Sequence, residues 1–165
     1  MPNSSEQKRY MYSGDPEYVG PPPMLYRWHA IAFLNCAEDA IAGYRQKHDS
    51  DPSPPQCVPI VHLICHAVEM LLKLALYKTG SKQRDLSALQ LRHNLAALQK
   101  ECEAVGVHFS ADVSTMIEAL SPLHVEHSLR YTVFETGGRW LPYNPEEMIE
   151  LSKKLITAAS PAQSC

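Results

Sequence analysis

Residues 57–80 form the longest apolar run in the chain, and four polar side chains interrupt it in a regular pattern. His62, His66, Glu69 and Lys73 are spaced 4, 3 and 4 residues apart. At ~100° per residue they share one helical stripe roughly 60° wide. The rest of that helix is apolar and must be covered by other elements, whereas the stripe needs polar partners or a groove. The charges and histidines inside the run favour a buried helix over a membrane span. A helical bundle with a polar seam meets these conditions, and bundle interiors are where such proteins place ligands and metals.

The flanking sequence supplies the other helices. Residues 1–23 read as an extended tail, because SGDPEYVGPPP is rich in Pro and Gly. A first helix is expected from about Pro23 to Gln46, with Ile31, Leu34, Ile41 and Tyr44 on one face. HDSDPSPPQ, residues 48–56, reads as a loop. The seam helix then runs to about Thr79, with Pro59 in its first turn and Gly80 as its stop. Asp85 suits the cap of a short helix, and the start of the next helix near Arg92 and His93 is open. HNLAALQKECEAVG directs Leu95, Leu98, Cys102 and Val105 inward and stops at Gly106. Ser110 suits an N-cap for ADVSTMIEAL, which SPLHVEHSLRY continues with a break or kink at Pro122 and a Glu126–Arg130 pair. YTVFETGGRWLPY suits a small hairpin near 131–142 turning at Gly137-Gly138. In NPEEMIELSKKLITAA, Asn144, Pro145 and Glu147 make a capping box, and Lys153 and Lys154 suit the C-terminal dipole. The expectation is an all-α fold, an antiparallel up-and-down bundle of about five helices with a β-hairpin insertion. It forms one domain over 24–159, followed by a tail over 160–165.

Composition narrows the partners. With 165 residues, 45% hydrophobic and 20% charged, the chain suits one soluble domain. A net charge of −3 excludes a global basic field for nucleic acid. A local patch remains: between 73 and 92, Lys73, Lys78, Lys82, Arg84 and Arg92 face one acid, Asp85. Five cysteines without a CxxC pair, after a polar start unlike a signal peptide, suit reduced thiols in a cytoplasm and no membrane association.

Three chemistries can be drawn from these residues. His62 and His66 at i, i+4 can chelate a metal, with Cys65 or Glu69 nearby and His124 and His127 adding ligands. HxxxH alone is weak, and neither a zinc-protease HExxH nor the ExxH pairs of di-iron bundles is present. Nucleophilic catalysis lacks a GxSxG, and no Gly-rich phosphate loop is found, so no cofactor is implied. The third chemistry gathers Glu69 and Lys73, then Arg92-His93-Asn94, then Arg130-Tyr131. There Arg92, Arg130 and Lys73 would hold a phosphate and His93 would move a proton. Metal-independent RNA cleavage needs little more. Plain structural roles compete with each: Glu69–Lys73 as an i, i+4 pair, His93 or Asn94 as a cap, Arg130 paired with Glu126.

EMLLKLALYKTG, RHNLAALQKECEAVG and IEALSPLHVEHSLRYTVF, in that order and spacing, resemble the HEPN superfamily of helical-bundle domains. The likeness spans roughly residues 24–157 and rests on ExxxK, H-[DN]-L and RY. It implies a four-to-five-helix bundle, usually a homodimer. Many members are metal-independent endoribonucleases of toxin–antitoxin, phage-defence and RNA-processing systems, some paired with a nucleotidyltransferase-fold antitoxin. Others bind RNA, nucleotides or proteins without cleavage. The residues that match are Glu69, Lys73, His93, Asn94, Arg130 and Tyr131. No arginine here is followed by a polar residue and then a His four to six residues on, which is the motif of catalytic members. The expectation is thus a domain binding RNA or a nucleotide, with His93 and Arg130 as the catalytic pair if it cleaves. Glu69, Lys73, Arg92, Asn94 and Tyr131 would bind. A ligand-free protein-interaction bundle and a metal bundle using His62, His66, His124 and His127 are the alternatives.

Overall fold

The apolar run becomes the central helix. In a computed structural model, residues 23–52, 54–81, 91–125 and 143–159 are described. They form five α-helices: α1 Pro23–His48, α2 Pro54–Lys78, α3 Leu95–Ala104, α4 Ala111–Val125 and α5 Pro145–Ala158. α2 packs on each of the other four, while α1, α5, α4 and α3 follow one another around it. Its buried positions, among them Ile60, Ile64, Cys65, Ala67, Leu72 and Leu74, occupy more than half of its circumference, as expected of a helix enclosed on most sides. By length and composition Cys57–Lys78 is also apolar enough to cross a membrane, but most of that stretch is buried against the other helices.

Local signals fix the helix ends. Gly80 and Gly106 adopt φ of 100° and 84°, in the left-handed region that a Cβ disfavours. After α2, the Gly80 N–H donates to Tyr77 O at 3.1 Å and Ser81 N–H to Leu76 O at 3.1 Å. After α3, Gly106 N–H donates to Glu103 O at 3.0 Å and Val107 N–H to Cys102 O at 2.9 Å. Both are Schellman closures that satisfy terminal carbonyls. α5 opens on the expected capping box, with Asn144 and Glu147 exchanging bonds of 2.9 Å each way.

Several expectations change. α1 extends to His48 and α2 begins at Pro54, so the loop is shorter than 48–56. Proline needs no N–H in a first turn, so Pro54 and Pro55 can start a helix, and Pro59 lies within it instead of in its first turn. The buried stripe of α1 is Tyr26, Ala30, Leu34, Ala37 and Ile41, with Ile31 and Tyr44 only partly covered. Val105 ends α3 as its C-cap and is 45% exposed, so it is not a core residue. α4 continues through Pro122 to Val125 without ending there. Lys153 and Lys154 precede the last turn of α5, and Lys153 instead reaches Glu38 of α1 at 2.6 Å and Glu150 at 2.8 Å. No strand occurs among the described residues; the hairpin expected at 131–142, the Glu126–Arg130 pair and Asp85 lie outside them.

Candidate functional site

The α2 stripe faces the junction of α3 and α4. Glu69 is its centre, only 2% exposed. Its Oε1 accepts from Lys73 Nζ at 2.6 Å, one helical turn on. Its Oε2 lies 3.1 Å from His93 Nδ1, before α3, and 2.7 Å from His124 Nε2, in the last turn of α4. One carboxylate thereby ties three helices together.

The turn into α3 explains how His93 arrives. Asn94 is the N-cap, and its Oδ1 accepts from Ala97 N–H at 3.0 Å. Ser121 of α4 reaches across to accept from Ala96 N–H at 3.0 Å and donates to Asn94 Oδ1 at 3.4 Å. Two of the N–H groups left open at the start of α3 are thus satisfied from two different elements. His93 precedes this cap at φ 60°, a left-handed conformation that strains a side chain with a Cβ. The bond to Glu69 accompanies that strain.

His62 and His66 extend the seam. Their Nε2 atoms are 3.2 Å apart. The His66 ring lies edge-on to that of His124, with centroids 4.9 Å apart, and stacks on Phe33 of α1 at 5.4 Å. His93 and His124 are also edge-on, at 5.2 Å. Four imidazoles and one carboxylate therefore form a continuous polar file inside an apolar bundle.

Burial alone would push the Glu69 carboxyl up, but the hydrogen bonds from His124, Lys73 and His93 and the Lys73 charge outweigh it. The group is held well below the usual carboxylate range and remains an anion. Burial, with Glu69 nearby, pushes the Cys65 thiol up to about 12. Cys65 is therefore a packing residue and neither a nucleophile nor a ready metal ligand.

Of the expected binding residues, Glu69, Lys73 and His93 meet at one point. Asn94 adjoins them, but its side chain is committed to the α3 cap. Arg92 is exposed beside His93. Lys78 of the basic patch bonds Ala159 O at the end of α5, at 2.8 Å. Arg130, Tyr131, His127, Lys82 and Arg84 lie outside the described residues. His124, expected only as a metal ligand, is in addition a direct partner of Glu69. Its signal is in the sequence: Val113, Ile117, Leu120 and His124 continue one apolar stripe at spacing 4, 3, 4, so a buried imidazole there requires a polar partner. A surface hollow of about 460 Å³ lies between the start of α4 and the end of α5, lined by Phe109, Val113, Lys154 and Leu155 among others. No residue of the file lines it, and among the described residues its ionisable lining groups are His108 and Lys154. Comparison with protein-family models, curated proteins and solved structures finds no match to this chain.

Proposed function

We propose that this chain is a HEPN-like helical domain that binds RNA or a nucleotide at the Lys73–His93 end of the polar file. The observation that carries the reading is the convergence of Lys73 and His93, from separate stretches of the sequence, on the two oxygens of Glu69. These are residues of the ExxxK and H-[DN]-L matches, and Arg92 stands exposed next to them. With Nδ1–H of His93 donated to the carboxylate, Nε2 becomes the ring's acceptor nitrogen, the arrangement a general base uses. Lys73 is 12% and His93 19% exposed, so a ligand meets only the edge of the file. That edge, together with the missing Arg–His motif, favours binding over efficient cleavage. The resemblance also supplies a homodimer, a nucleotidyltransferase-fold partner and a defence setting as parts of this proposal.

The test is fluorescence anisotropy with labelled single-stranded RNA and with a labelled nucleotide. Three phosphate contacts correspond to a slope of about −2 in log K against log salt. His93→Ala and Arg92→Ala should each weaken binding. Binding that ignores salt, or no binding to either probe, removes the reading. A cleavage gel with and without EDTA decides between a metal-independent endoribonuclease and a non-catalytic relative.

A further inference from the structure

Lys73, His93 and His124 each bond the Glu69 carboxylate, and two more imidazoles lie along the same stripe. His66 and His62 occupy the same α2 stripe one and two turns before Glu69. Satisfying one carboxylate does not require them. We propose that His66, Glu69 and His124 form a binding site for a divalent transition-metal ion of the zinc class. This site does not depend on the RNA-binding reading.

One ligand atom from each of the three residues lies within 4.8 Å of the other two. Tetrahedral zinc, with bonds of ~2.0–2.1 Å, sets its ligands roughly 3.3 Å apart. The His124 Nε2–Glu69 Oε2 pair, at 2.7 Å, has to open slightly, and the wider separations have to close. Rotations of side chains about χ1 and χ2 cover changes of that size. His66 and Glu69 are one turn apart on α2, and His124 comes from α4, which packs on α2, so the scaffold is rigid. His62 Nε2, 3.2 Å from His66 Nε2, lies outside the set within 4.8 Å and has to move in to serve as a fourth ligand; otherwise a water takes that position. Lys73 holds Oε1 of Glu69 and leaves Oε2 directed at the imidazoles. Such outer contacts orient ligands in metal sites.

The donor set selects the ion. Two or three imidazoles and one carboxylate suit zinc, cobalt, nickel or copper, whereas magnesium and calcium require mostly oxygen. Binding displaces the hydrogen bond between His124 and Glu69, because Nε2 must then give its lone pair to the ion. A neutral His124 ring moves its proton from Nε2 to Nδ1 by exchange with solvent, and an imidazolium ring releases one proton to solvent. Glu69 and His124 are buried and His66 is partly exposed, so entry is from the His62–His66 side.

The experiment uses the untagged full chain, stripped with chelator and titrated with Co²⁺ and Zn²⁺. One Co²⁺ per chain is expected, with the visible absorption of a tetrahedral ion, displaced by Zn²⁺. His66→Ala, which removes a partly exposed ring, should fold as judged by circular dichroism and bind Co²⁺ more than tenfold more weakly. His124→Gln tests the second helix, with His66→Ala deciding if that buried variant fails to fold. Exposed His29→Ala should leave binding unchanged. The proposal is overturned if the folded, stripped protein takes up no stoichiometric ion. It is equally overturned if His66→Ala binds as well as the parent, since the uptake would then belong to surface histidines.

Discussion

Replacing Glu69 by Gln keeps the volume of the side chain and removes its charge. The carboxylate accepts three hydrogen bonds from groups that are themselves covered: Lys73 at 2.6 Å, His124 at 2.7 Å and His93 at 3.1 Å. Hydrogen bonds to a charged group contribute about 1.5–3 kcal/mol each. A glutamine retains one acceptor oxygen: placed toward Lys73 it loses or reverses both histidine bonds, and placed toward the histidines it sets its NH₂ against the Lys73 ammonium. That gives a loss of roughly 3–5 kcal/mol, in the range for breaking a buried ion pair. Lys73 and His93 retain some exposure and can turn to water, which places the expected value near the lower end, about 3 kcal/mol. For a domain of this size that is a fall in Tm of roughly 6–12 °C. Urea unfolding of the stripped protein followed by circular dichroism measures it, with Glu150→Gln as control. Glu150 is 66% exposed and, among the described residues, bonds Lys153, so its removal should change stability by less than ~0.5 kcal/mol. The folded carboxyl lies below its unfolded value of ~4.3, so its contribution is fully present above that pH and is lost as pH falls through the folded value. The gap between parent and Glu69→Gln should therefore begin to narrow below about pH 4. A loss under ~1 kcal/mol at pH 7 would refute the hub, because no buried anion with three donors is so cheaply removed.

Further substitutions and a thiol reagent probe the same construction. His93→Gly should be less destabilising than His93→Ala by about 1 kcal/mol, since both lose the Glu69 bond but only glycine adopts φ 60° without strain; the reverse order in urea unfolding would contradict the left-handed assignment. Asn94→Ala should cost about 1–2 kcal/mol through the lost α3 cap, and Ser121→Ala a smaller amount, read by the same assay. A thiol reagent at pH 8 should modify exposed Cys36 in the native protein while sparing Cys65 and Cys102, whose buried thiols are pushed up to about 12; mass spectrometry that finds native Cys65 labelled would mean that α2 is not enclosed.

The parts of this fold that were legible in the sequence are those encoded locally. The 4, 3, 4 stripe of α2, the glycine stops at 80 and 106 and the α5 capping box depend on neighbours a few residues apart, and each appears as read. The start of α2 is not legible because a Pro-rich stretch has the composition of a loop, although proline suits a first helical turn. Val105 was misplaced because periodicity does not know where a helix stops; once Val105 becomes the cap, its face no longer points inward. The Glu69–His93 contact spans 24 residues and Glu69–His124 spans 55, so each depends on which helices pack together. Sequence spacing located the groups that need partners, and only the packing of α3 and α4 against α2 shows which partners they take.

One carboxylate now serves two proposals, and this makes them thermodynamically linked. A divalent ion on Oε2 of Glu69 withdraws the acceptor that His93 and His124 share, and its charge opposes the nearby ammonium of Lys73. Lys73 and His93 are the more exposed members and have a path to solvent, whereas His124 does not. The ion should therefore turn His93 outward, toward the exposed Arg92, while Lys73 stays on Oε1, and raise the local positive potential at the rim. Anionic RNA should then bind more tightly to the metal-loaded chain, and by reciprocity RNA should tighten the metal by the same factor. A coupling of 1–3 kcal/mol corresponds to roughly 5- to 150-fold. Anisotropy titrations of labelled RNA with stripped and zinc-loaded protein at one salt concentration measure the first leg, and Co²⁺ titrations with and without RNA measure the second. Equal RNA affinity in the two forms would show that His93 does not turn outward when the ion binds, and that the file and its rim act as separate sites.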